Sequence, residues 1–260
     1  MRPSFIGDVS VVSVYVNVCA LDLMLGEFKK NSSVISSLWL DELSQKAPSE
    51  GSEAKYYEKS PISDDDLLVR AEYLLGDHNP EATELLLNEP TLSAMEDLFG
   101  EPPVLFKEKA NYKLSGCRPD KLHQDQAAGW NAYTDFFLSM AIVIDENRKD
   151  NAAISFMCSG NYDKSLMTEE WKPLTMDDPP YQPEDEYMLL EAQPGDVIIF
   201  DSYVPHGSPA NTSDSQRRNL YLTFNRASAG DFRQQYYDDK WENYPPNQAS
   251  TARTDTSFRV

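Results

Sequence analysis

The chain has 260 residues, 40% of them hydrophobic, enough to bury a sizeable core as one domain. Forty-three acidic residues against 23 basic leave a formal charge of −20. That balance disfavours nucleic acid and anionic membrane as partners, because either needs a basic patch to offset phosphate charge. The three cysteines, Cys19, Cys117 and Cys158, are odd in number and scattered. They suggest neither a disulfide framework nor a zinc cluster, and they point to a reducing, cytoplasmic setting.

Val9 to Leu25 reads VSVVSVYVNVCALDLML, almost without charge. It is short for a membrane span and lacks a clean signal-peptide cleavage site. Its alternating valines read as a strand, with an anchor or a mis-set start as the other readings. Asn31 to Gln45 carries apolar residues at helical spacing behind polar starters and predicts a first helix. After the polar loop KAPSEGSE, Ser63 to Asp66 predicts the start of a second helix. Acids fill its first turn, and an apolar stripe runs through Leu67, Leu68, Ala71, Leu74 and Leu75. Gly76 ends it. Pro80 to Leu98 predicts further helix, broken near Pro90, and Gly100-Glu101-Pro102-Pro103 closes the helical third.

From Val104 onward, short apolar or alternating runs are separated by turn residues: VLFKEKANYKL, FFLSMAIVID, AAISFMC, YMLLEA, DVIIFD and NLYLTF. Such spacing predicts a mainly β sandwich or barrel. Gln193-Pro194-Gly195-Asp196 is a hairpin signal. Met167 to Glu186 is a long polar loop of the kind that covers binding sites. The predicted organisation is a single domain over 1–260. A strand and helices occupy 1–103, a β core 104–240 and a tail 241–260.

Chemistry enters at His123-Gln124-Asp125. With His206, this pair makes a 2-His-1-carboxylate set, which suits non-haem Fe(II) with positions left open. Residues i and i+2 of an extended segment point the same way, so His123 and Asp125 share a face. His206 follows DVIIFDSYVP and is expected just past a strand end. Arg217 opens RRNLYLTFN; alternation places it with Asn219, Tyr221 and Thr223, opposite Arg218, Leu220, Leu222 and Phe224. Arg217 can grip the distal carboxylate of 2-oxoglutarate in a two-pronged hydrogen bond. The expected cofactor is Fe(II), with 2-oxoglutarate and O2 as co-substrates. Two of the chain's three histidines fall in this pattern, while His78 sits in a loop, GDHNP. No HExxH, CxxC, GxGxxG or GxSxG occurs. Asp125 argues against halogenation, since it fills the position that chloride would need.

FKEKANYKL, HQD, PGDVIIFDSYVPHGSPAN, RRNLYLTFN and YYDDK resemble the phytanoyl-CoA dioxygenase-like family. They are most similar to the branch acting on 2-aminoethylphosphonate and 2-(trimethylamino)ethylphosphonate. The resemblance covers most of the chain after about residue 35. It implies a double-stranded β-helix (jelly roll) with flanking N-terminal helices. It also implies His123, Asp125 and His206 as iron ligands and Arg217 as the 2-oxoglutarate arginine. Asn111, Ser139, Ser208 and Asn219 match the co-substrate surroundings by position. The chain departs from the family at NAAISFMCSGNYD, where Ser159-Gly160-Asn161 stands in place of a PGSH-like run, and at GCRPDKL before His123. Both segments border the active site in the family, so the phosphonate substrate does not carry over directly.

Tyr112, Arg118, Gln126, Trp130 and Tyr133 flank the metal motif and are the candidates for touching substrate. An aromatic cage there would hold a cationic amine. The expected substrate is a small polar amine-bearing molecule, an amino acid or aminophosphonate derivative. It would be oxidised by hydroxylation, or by desaturation or ring closure. Two other readings are the same chemistry on a larger secondary-metabolite scaffold and an inactive jelly-roll binding protein that keeps the residues as a relic.

Overall fold

The computed structural model describes residues 28–47, 51–158, 166 and 187–247. The valine-rich run 9–25, the loop 167–186, Ser159 to Asn161 and the last thirteen residues lie outside them. Among the described residues, ten strands form two sheets. Strands β1 (Ala54–Lys59), β2 (Asp66–Glu72), β3 (Pro103–Lys113), β5 (Leu138–Val143), β8 (Val197–Asp201) and β10 (Arg217–Arg226) make the larger one, in the order β1-β2-β3-β10-β5-β8. Strands β4 (Asp120–His123), β6 (Ser155–Met157), β7 (Tyr187–Leu189) and β9 (His206–Ser208) make the smaller, in the order β4-β9-β6-β7. All pairings are antiparallel. Together they form the jelly roll.

Among the described residues, four helices flank the sheets: α1 (Phe28–Gln45), α2 (Pro80–Leu86), α3 (Glu89–Phe99) and α4 (Arg233–Asn243). Pro90 falls in the first turn of α3, where its missing N–H costs nothing. The Asn88 side chain caps that helix by accepting from the Thr91 N–H at 2.9 Å. Gly100 ends it in the left-handed conformation, φ 74°.

The predicted helix from Ser63 is corrected to a strand. Chain segment 54–59 supplies a partner, and Lys59 pairs with Asp66 through to Ala54 with Glu72 in a β1–β2 hairpin. The acids belong to its turn, where Asp64 takes φ 60°. Arg70 and Ala71 pair onward with Asn111 and Ala110, which adds the hairpin to the sheet edge. Leu74 and Leu75 never enter a helix, because their N–H groups both donate to the buried Glu108 carboxylate at 2.8 and 2.9 Å. Non-local pairing therefore overrides a stripe that fits helical spacing.

Strand β10 is the centre of the larger sheet. Its Leu220, Leu222 and Phe224 pack with Leu40 and Leu43 of α1, Leu86 of α2 and Met95 and Phe99 of α3. Tyr221 points the other way, into a second cluster between the sheets with Val143, Ile154, Phe156, Ile198 and Phe200. The helices cover one face of β10 and the smaller sheet the other, so RRNLYLTFN is buried throughout. A third cluster of Phe106, Trp130, Phe137 and Tyr236 closes one end against α4. Among the described residues, no helix is long and apolar enough to cross a membrane.

Candidate metal and co-substrate site

Two short strands carry the histidines. His123 ends β4 and His206 opens β9, and the two residues are register partners. Their ring centroids lie 4.4 Å apart. Gly207 permits this approach: a Cβ there would stand 2.8 Å from the Asp120 carbonyl and 3.1 Å from the Leu122 nitrogen, both backbone atoms. Asp125 begins a 3-10 turn rather than continuing the strand. Gln124 between them stays extended, φ −111° and ψ 130°, so the same-face relation holds. The Gln124 side chain donates to the Tyr203 carbonyl at 2.6 Å, fastening the segment to the loop before His206. That loop is itself held by the Asp201 carboxylate, which accepts from the Tyr203 and Val204 N–H groups at 2.8 and 3.0 Å.

One ligand atom from each of His123, Asp125 and His206 lies within 4.8 Å of the others. The Asp125 Oδ1 is 3.7 Å from His123 Nε2 and 4.0 Å from His206 Nε2. Ligands held about 2.0–2.2 Å from one ion at right angles stand roughly 3 Å apart, so a modest inward movement completes a site. The His206 Nδ1 lies 3.0 Å from the Val204 carbonyl. A proton placed there leaves Nε2 as a lone pair aimed at the centre. Burial, and then the neighbouring His123, push the His206 imidazole down to about 4, so it is neutral at ordinary pH. Burial works to raise the Asp125 carboxyl. The Lys109 ammonium, the hydrogen bond from His123 and the charge of His206 outweigh it and hold the carboxyl well below the usual range. Two neutral imidazoles and one carboxylate suit a divalent iron.

Arg217 is 2% exposed. Its Nη2 donates to the Ala152 carbonyl at 2.9 Å and to Ser208 Oγ at 3.5 Å, and its Nε has no partner. Among the described residues, no carboxylate lies within ion-pairing distance of it. A buried guanidinium in that state is costly unless an anion arrives. Asn111 and Asn219 are register partners on the same inner face, and the Oδ1 of each is buried without a partner. Ser208 also donates to Asp120 at 3.1 Å, and Ser139 shares a 2.9 Å hydrogen bond with Thr223 on the same face. A small cleft beside Arg217 is lined by Arg70, Asn111, Lys113, Arg118 and Asp120. The geometry thus gathers Asn111, Ser208, Arg217 and Asn219 into one polar pocket.

The flanking candidates are placed differently. Tyr112 is corrected: it lies on the outer face of β3, where its hydroxyl donates to the Leu40 carbonyl of α1 at 3.0 Å. Gln126 is fully buried, donating to the Thr134 carbonyl at 3.0 Å and accepting from Ser202 at 2.6 Å. Trp130 stands among Phe106, Phe137 and Tyr236. Tyr133 packs against that cluster and donates to Asp239 at 2.7 Å. Arg118 pairs with Glu58 through both Nε and Nη2. Lys109 escaped notice in the sequence, although the alternation in FKEKANYK puts Lys107, Lys109, Asn111 and Lys113 on one face of a strand. Charged residues on a face expected to be apolar were the available signal.

The phytanoyl-CoA dioxygenase (PhyH) family matches residues 30–219. A 2-aminoethylphosphonate dioxygenase from an uncultured bacterium (HF130_AEPn_1) is 33% identical over 221 residues, covering 80% of this chain and 78% of that one. A methylphosphonate hydroxylase from Gimesia maris is 30% identical over 215 residues, 78% of this chain and 75% of that one. Among solved structures, EctD from S. alaskensis with 2-oxoglutarate and 5-hydroxyectoine superposes with a TM-score of 0.64 at 18% identity. It covers 77% of this chain and 70% of that one. At that identity the likeness shows the fold.

Proposed function

The chain belongs to the phytanoyl-CoA dioxygenase family and is a dioxygenase of the Fe(II)/2-oxoglutarate-dependent class. On that footing we propose that it oxidises an unactivated C–H bond of a small, polar, amine-bearing molecule, an amino acid or aminophosphonate derivative. The product forms by hydroxylation, or by desaturation or ring closure. The observation that carries the co-substrate reading is the buried, ion-unpaired Arg217 beside the His123, Asp125 and His206 triangle.

His123, Asp125 and His206 would hold the iron, and Arg217 would receive the far carboxylate of 2-oxoglutarate. When bound, Fe(II) with 2-oxoglutarate and O2 supplies an oxidant strong enough for a C–H bond, with succinate and CO2 as co-products. The residues of the chain do the rest. His206 stays neutral, with Nδ1 engaged by Val204, so its Nε2 is available without first losing a proton. Arg217 fixes the diacid in orientation, and Ser208 holds the guanidinium from the side. Phe156 and Phe200 stand against the His206 ring, centroids 5.6 and 5.1 Å away, and keep bulk water from that ligand. Cys117 and Cys158 are free thiols, in keeping with a cytoplasmic setting.

The two phosphonate-oxidising relatives support a phosphonate- or carboxylate-bearing substrate. The test is a panel of amines, amino acids, aminophosphonates and acyl-CoAs, scored for substrate-stimulated succinate release and O2 consumption. Coupling with at least one amine-bearing acid is expected. Strong coupling with an acyl-CoA or a neutral polycycle, and none with any amine, overturns the substrate class. No succinate under any condition overturns the enzymatic reading.

A further inference from the structure

Strand β3 turns four side chains inward: Lys107, Lys109, Asn111 and Lys113. Three of them have company. Lys113 donates to Asp120 at 2.9 Å. Lys107 donates to the Tyr236 hydroxyl at 2.7 Å and lies 3.9 Å from Glu72, a carboxylate it shares with Arg70 and Lys240 at 2.9 and 2.7 Å. Asn111 faces Asn219. Lys109 is different. It is half-buried, opposite Tyr221 in register, with its Nζ 5.1 Å from the centre of that ring. Among the described residues it makes no hydrogen bond, and no carboxylate reaches ion-pairing distance. The ring it faces belongs to the cluster of Phe156 and Phe200, and both of those stand against the His206 imidazole, so Lys109 borders the wall of the metal triangle.

We infer that Lys109 is a specificity-determining residue that receives the anionic end, phosphonate or carboxylate, of the substrate. The inference deepens the oxygenase reading above and rests on it. Charge around the site points the same way. A divalent metal, Asp125, Arg217, Lys109 and a doubly charged diacid leave one positive charge over, so the pocket remains attractive to a further anion after the co-substrate is in place. Position separates the two anions. Arg217 and Tyr221 are four residues apart on β10, about 13 Å along the strand. The far carboxylate of the diacid belongs at Arg217, while Lys109 stands opposite Tyr221, further along the same pair of strands. A flexible ammonium with no structural bond to break can turn to a tetrahedral phosphonate or a planar carboxylate alike.

Lys109→Met and Lys109→Arg, each loaded anaerobically with Mn(II) and 2-oxoglutarate, test this by calorimetry with 2-aminoethylphosphonate, methylphosphonate and inorganic phosphate. Wild type is expected to bind at least one of the three. Lys109→Met should weaken that binding roughly ten- to a hundredfold, Lys109→Arg should recover most of it, and the affinity for 2-oxoglutarate should move less than about threefold in both. The melting temperature of Lys109→Met should fall by no more than a few degrees, because the native side chain makes no hydrogen bond or ion pair and only the one ring contact. Wild type that binds none of the three anions overturns the inference. So does a methionine variant that binds them equally well, or one whose 2-oxoglutarate affinity drops as far as its anion affinity. Lys109-dependent anion binding with no amine-stimulated succinate release would leave this inference standing and remove only the amine-bearing class.

Discussion

Adjacent arginines on β10 should fail in opposite ways. Arg217 and Arg218 are equally buried, 2% exposed each. Arg218 is saturated: it meets Asp145 through Nε and Nη2 at 2.7 and 3.0 Å, Asp41 of α1 at 2.6 Å, and the Ser37 hydroxyl at 3.0 Å. Arg218→Ala unties α1 from the sheet; because the Asp41 and Asp145 carboxylates keep some contact with solvent, the loss is about 2–3 kcal/mol rather than the full cost of breaking a buried pair. In a domain of this size that lowers the melting temperature by roughly 4–12 °C. Arg217 has only a carbonyl and a distant hydroxyl, so Arg217→Ala removes an uncompensated charge and should leave the free protein as stable or more so. Its loss appears on binding instead. Truncating a buried charge-assisted contact to a carboxylate costs about 2–4 kcal/mol, roughly a 30- to 700-fold weaker grip on 2-oxoglutarate. Thermal unfolding with and without 2-oxoglutarate, followed by calorimetry on the Mn(II)-loaded protein, reads both effects. A destabilised Arg217 variant that keeps its 2-oxoglutarate affinity, beside an Arg218 variant that loses it, would show that the strand presents the opposite face to the site.

His123→Ala and His206→Ala should each abolish iron retention and turnover while circular dichroism stays native, and Asp125→Gly should abolish turnover with weak residual metal. An active variant in metal analysis and succinate assay would remove the assignment. Gly207→Ala should weaken metal affinity by separating β4 from β9, since its Cβ meets backbone that has no room to yield; an unchanged iron affinity in competition with a chelator refutes that reasoning. Metal-free protein should lose stability as pH falls from about 6.5 towards 4, because His206 stays neutral when folded and takes a proton when unfolded. The unfolded state binds more protons in that window, so the loss reaches at most roughly 3 kcal/mol. Urea titrations at pH 7.5 and 5 should show His206→Gln with a visibly shallower pH dependence, and equal slopes would contradict it.

The candidate metal triangle and the placing of Arg217 were legible because their geometry is local. HxD needs only an extended residue between its ends, and the Arg217/Arg218 division needs only strand alternation, which Tyr221 and Leu220 display in separate clusters. What depended on partners far along the chain was not legible. Leu67 to Leu75 satisfies helical spacing, yet β1 and Asn111 recruit it into the sheet. Tyr112 sits close to the motif in sequence but on the wrong side of β3, a direction that only the α1 packing reveals. Trp130 and Tyr133 follow Asp125 directly, and the 3-10 turns there swing them into the aromatic cluster under α4. Lys109 looks like any surface lysine until β10 sets it against Tyr221.

The order of strands has a consequence for biosynthesis. β10 is the last of the described strands in chain order, yet it lies in the middle of the larger sheet, between β3 and β5. Until it emerges, those two strands have no bridge to each other, and the cluster under the helices lacks Leu220, Leu222 and Phe224. The same segment carries Arg217. Nascent chains that stop short of it are therefore without the proposed co-substrate arginine and without a closed sheet at once. Long-range pairing of this strand is therefore the expected slow step in folding the larger sheet.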